Sequence, residues 1–134
     1  MHYHSYLNSL DTELKERKYS LGESHISVAE TLNIIGLVHQ HMGGDQNIAI
    51  RLHREALNIY HSQQNSQKMR MEIAIILADI GSCYWIKGQY EKSKNEFKKS
   101  LKFLETCDLP KAVFCILYFM IDLGLYAGSD DSGW

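Results

Sequence analysis

Seven histidines, three cysteines and sixteen carboxylates are the side chains of this 134-residue sequence that could bind a metal or move a proton. Their spacing gathers none of them into a centre. His2 with His4, and His39 with His41, stand two residues apart, which on a helix sends the side chains to different faces, so neither pair chelates one ion. Cys83, Cys107 and Cys115 form no Cys-x-x-Cys pair, and no zinc-type spacing is present. There is no phosphate-cradling glycine loop and no nucleophile elbow, and Cys83 falls inside a helical pattern instead of on an exposed turn beside a base. The expectation is no catalysis, no metal and no cofactor. The cysteines are expected to be reduced, partly buried thiols. One chemical role stays open for the histidines, a response to pH between about 5 and 8.

Composition narrows the partners. An apolar content of 45% is enough for one globular domain, and a net charge of −2 with 22% charged residues gives no bulk attraction to nucleic acid or to an anionic membrane. Glu13, Glu16, Glu91 and Glu96 alternate with Lys15, Lys18, Lys92 and Lys94, the pattern of a solvated helix surface. The N-terminal MHYHSYLNSLDTELKERK is too polar for a signal peptide, so a cytoplasmic location is expected. The apolar run Ala112 to Ile121 stops at Asp122; ten helical residues rise only about 15 Å, half a bilayer core, so a buried helix is expected and no membrane span.

The elements that would position any site are helical, and the fold class expected is all-α with about six helices. One proline, Pro110, and glycines at Gly22, Gly43, Gly44 and Gly88 cut the chain into helix-length segments without strand patterning. In 51–60, Leu52, Ala56, Leu57 and Ile59/Tyr60 recur at three and four residues, opposite Arg51, Arg54, Glu55 and Asn58. Val28, Ala29, Leu32, Ile35, Gly36, His39 and Met42 repeat the spacing, with Ser27 and Glu30 offering a capping box. So do Ala74, Leu77, Ile80, Gly81 and Tyr84, and then Tyr90, Ser93, Phe97, Ser100, Leu101 and Leu104.

These segments are one hairpin written twice. LNIIGLVH (Leu32 to His39) overlies LADIGSCY (Leu77 to Tyr84), with Gly36 on Gly81, and Ala49, His53, Ala56 and Leu57 overlie Ser93, Phe97, Ser100 and Leu101 once the Gly43-Gly44 turn is allowed one extra residue. A mid-helix glycine costs roughly 1 kcal/mol in propensity, and here it would admit a close helix partner, with His53 or Phe97 filling the groove between small residues. His39 and His53 therefore belong to the hairpin interior.

With Leu77, Ile80, Gly81, Tyr84, Gly88, Tyr90, Ser93, Phe97 and Leu101 at its spacing, the chain resembles the tetratricopeptide repeat family. Leu21 to Gly36, LGESHISVAETLNIIG, further resembles the LGEDHPDVAxTLNNLA segment of kinesin light chain repeats, which are also about 42 residues long. The resemblance implies a superhelix of antiparallel helical hairpins: a preceding second helix over 3–20 with Tyr6, Leu7, Leu10 and Leu14 buried, repeat one over 26–62, repeat two over 70–106, the first helix of a third repeat over 110–127 opened by Pro110, and a flexible tail over 128–134.

The resemblance also implies a function, the holding of a protein or peptide in a concave groove lined by the first helices. The groove positions would be Asn33, Leu37, Gln40 and His41 in repeat one, and Ala78, Ser82, Trp85 and Ile86 in repeat two. Chaperone-type carboxylate clamps are not matched, because Leu37 and Asp79 stand at clamp positions. Cations that would draw an acidic peptide are sparse on these helices. The helix over 111–126 carries Val113, Phe114, Ile116, Leu117, Phe119, Met120 and Ile121 around its whole circumference, where an end helix of such a stack needs a polar outer face. It is thus covered by a following helix, buried in self-association or a partner contact, or part of a truncated product. The alternative function is accordingly a scaffold or homo-oligomer associating through 111–126.

Overall fold

The structure, a computed structural model, describes residues 2–42, 44–63, 66–111, 114–115, 118–119 and 121–124. Among them every regular element is a helix. These are α1 (His2–Leu21), α2 (Ile26–His41), α3 (Gln46–Ser62), α4 (Gln67–Ile86) and α5 (Tyr90–Glu105), followed by helical residues within 111–124. The chain divides into two compact units, Met1–Ser62 and Gln63–Trp134.

In the first unit α1 packs on α2, and α2 on α3. Leu10 is buried and Leu7 and Leu14 are half-buried, but Tyr6 is 52% exposed, which corrects its expected place in the buried face. Among the described residues only α2 packs against α1, and a tyrosine loses little by keeping its hydroxyl end in water. Arg17 fastens the pair by donating from one terminal nitrogen to the Ser27 carbonyl at 3.3 Å and the Thr31 hydroxyl at 3.1 Å.

The start of α2 also differs from the capping box expected at Ser27. His25 is the N-cap, and its Nδ1 accepts from the Ser27 N–H at 3.0 Å. An imidazole nitrogen that accepts from a first-turn N–H satisfies one of the helix's free donors, and the helix begins one residue before Ser27. Gly22, at φ +92°, makes the left-handed turn that ends α1.

In the second unit Ser66 caps α4 by accepting from the Met69 N–H at 3.2 Å, so this helix starts at Gln67 instead of residue 70. The turn to α5 runs over Lys87, Gly88 and Gln89, one residue fewer than separate α2 from α3, as the alignment of the two hairpins requires. Ser93 Oγ donates to the Gly81 carbonyl at 2.7 Å, and Ser100 Oγ donates to the Ala74 carbonyl. As α5 advances it meets α4 in reverse order, so the two helices are antiparallel. Ala74, Phe97, Leu104 and Ile121 form a buried cluster, with Ala78, Leu101, Phe103, Leu109 and Phe114 packed around it.

One device recurs in both units. A Cβ added to Gly81 would stand 3.1 to 3.2 Å from three carbons of the Phe97 ring, and one added to Gly36 would meet three atoms of the His53 ring. Near-equal distances to neighbouring ring atoms mean that the ring's face rests on the glycine. Phe97 also lies against Gly124, whose Cβ would come within 2.7 Å of Cε1 and Cζ. Within the expected helix over 110–127 the described residues between 111 and 124 are helical, while Gly43, Val113, Ile116, Leu117, Met120 and the tail 128–134 lie outside the described residues.

Candidate functional site

The polar centre of the first hairpin is His53, which is fully buried on α3. Its Nδ1 lies 2.6 Å from Asn33 Oδ1 and its Nε2 lies 3.1 Å from Gln40 Oε1. Burial, with His41 nearby, lowers its pKa from 6.5 to about 4, so the ring is neutral at physiological pH. A neutral ring carries one N–H, which means that one of the two amides turns its NH₂ to the other nitrogen. The second hairpin places Phe97 against Gly81, where this one needs a histidine and two amides.

This arrangement decides where two of the groove residues expected from sequence stand. Gln40 is 5% exposed and Asn33 is half-buried, and both turn to His53, so their polar groups serve the hairpin interior. Leu37 is half-buried and His41 is exposed. They share the open side of α2 with Glu30 and Ile34, neither of them among the expected groove positions, the latter 41% exposed. Glu30, Ile34, Leu37 and His41 follow at steps of four, three and four residues, a single helix stripe. Ile34 carries its own signal, since it is apolar yet off the period of Val28, Leu32 and Ile35.

On α4, Ala78 packs against the buried Phe97 cluster, and the half-buried Ser82 donates to the Ala78 carbonyl at 3.1 Å. Trp85 is half-buried and Ile86 is 49% exposed. The open stripe of this helix is Glu72, Ile75, Asp79, Ser82 and Ile86, each at least partly exposed, between the buried Ile73, Ala74, Ile76, Leu77, Ile80 and Cys83. Burial pushes the Asp79 carboxyl from 3.8 up to about 7, and the Glu72 carboxylate adds to the rise. The Cys83 thiol is pushed up to about 12 by burial and by Asp79, which keeps it protonated and a poor nucleophile.

All three cysteines are free, with Cys83 and Cys107 buried and Cys115 exposed. Among the described residues no group of three His, Cys, Asp or Glu side chains is arranged to hold a metal, and no helix is long and apolar enough to cross a membrane. No family model and no curated protein matches the chain.

Proposed function

We propose that this chain is a protein-interaction module of tetratricopeptide type, similar to the longer kinesin light chain repeats, and that each hairpin offers the open side of its first helix, α2 or α4, to a protein or peptide segment. The observation that carries the reading is the pair of open stripes. Ile34 and Leu37 on α2, and Ile75 and Ile86 on α4, keep apolar surface on the side of each helix not used by its hairpin. The matched glycine–ring contacts of Gly36 with His53 and Gly81 with Phe97 support treating the hairpins as two copies of one unit. Replacing Ile34 and Leu37 together by serine should weaken capture of a bound peptide without changing helicity. Unchanged binding would contradict this assignment of the binding surface.

A second reading, self-association through 111–126, draws on Tyr118, Phe119 and Leu123, which are 38%, 63% and 52% exposed. Sizing the chain over a concentration series tests it. A monomer at every concentration counts against it.

A further inference from the structure

The open stripe of α4, like the whole of α2, carries no lysine or arginine. From Met71 to Ile86 this helix contains no lysine or arginine, and its two cations, Lys68 and Arg70, stand in its first turn. By contrast α5 carries Lys92, Lys94, Lys98, Lys99 and Lys102, with Lys99 paired to Glu96 at 3.0 Å and Lys94 to Glu91 at 3.9 Å. A face that is merely solvated mixes both signs in this way.

Asp79 sits near the middle of the stripe, half-buried, with the apolar Ile75 one turn before it and Ile86 two turns after it. It makes no hydrogen bond or ion pair among the described residues, although burial has already removed part of its water. A partly desolvated carboxylate without a counter-charge is costly to keep ionised, and a cation brought to it offsets that cost. The Glu72 carboxylate on the same stripe adds to the rise of the Asp79 carboxyl. From Glu72 to Ile86 the stripe runs about 21 Å, the length of roughly six residues of extended peptide.

We propose that the α4 stripe of Glu72, Ile75, Asp79 and Ile86 docks a peptide segment of a partner protein that sets an arginine or lysine on Asp79, with apolar side chains covering Ile75 and Ile86. The inference rests on the peptide-binding reading above and names the class of peptide. Arginine suits the site better than lysine, because its guanidinium is less strongly hydrated and meets a carboxylate with two parallel hydrogen bonds.

The test is selection of short random peptides displayed against the whole 134-residue chain, followed by affinity measurements on the winners with Asp79→Asn, Asp79→Lys and Ile86→Ser. Helicity is checked for each variant. The expected result is enrichment of peptides with an arginine or lysine between apolar residues. Their affinity should fall about tenfold with Asp79→Asn and further with Asp79→Lys, and fall with Ile86→Ser. Peptides that bind without a cation, or whose affinity ignores both Asp79 variants, would overturn this proposal and leave the wider peptide-binding reading standing. Failure to enrich any peptide would overturn both.

Discussion

His53 rests its ring against the backbone of Gly36, so that a Cβ placed on the glycine would stand 2.9 Å from Cε1 and 3.0 Å from Nδ1 of the imidazole. The ring cannot move aside, because Asn33 and Gln40 hold both of its nitrogens. Gly36→Ala is therefore expected to destabilise by about 1–3 kcal/mol, even though alanine is the better helix former by roughly 1 kcal/mol. Denaturant unfolding of the variant checks the sign.

His53 should also be coupled to its amides. His53→Phe copies the ring of the second hairpin, but it leaves the buried Gln40 amide without its partner, at a cost of about 1–3 kcal/mol. Adding Gln40→Leu should recover most of that loss. A double-mutant cycle with no coupling energy would contradict the contact.

The chain's periodicity made the hairpins legible, because residues at three- and four-residue steps with glycines between them leave few other ways to bury their apolar faces. The inward turn of Asn33 and Gln40 was hidden for a different reason. The family's pattern places both in the groove, whereas a buried imidazole has two nitrogens to satisfy and draws the nearest amides on α2. The caps at His25 and Ser66 were missed because helix ends depend on single local hydrogen bonds that periodicity does not report.

Titration should act on the two units with opposite signs. For His53, between pH 6.5 and about 4 the unfolded chain holds a proton that the folded one lacks, so stability falls as the solution is acidified through that window. For Asp79, between 3.8 and about 7 the folded chain holds the proton that the unfolded one has lost, so stability falls as pH rises through it. The two slopes oppose each other below pH 6.5. Asp79→Asn removes the second slope, so its melting temperature should climb more steeply from pH 4.5 to 6.5 than that of the parent chain. Parallel curves would contradict the raised Asp79 carboxyl.

Ser93 and Ser100 each send a hydroxyl to a carbonyl of α4. Ser93→Ala and Ser100→Ala should each cost about 0.5–1.5 kcal/mol, the net worth of one such bond. Their costs should add nearly independently, since the sites are two helical turns apart, about 10 Å. Chemical denaturation of the single and double variants reads this directly.

The claim that α2 and α4 present the binding surface is tested most directly by mapping amide chemical shifts of the isotope-labelled chain on addition of a selected peptide. The account predicts that the largest changes fall at Ile75, Asp79, Ser82 and Ile86 on α4, or at Ile34, Leu37 and His41 on α2. Changes confined to α1, α5 or residues 111–124 would contradict it.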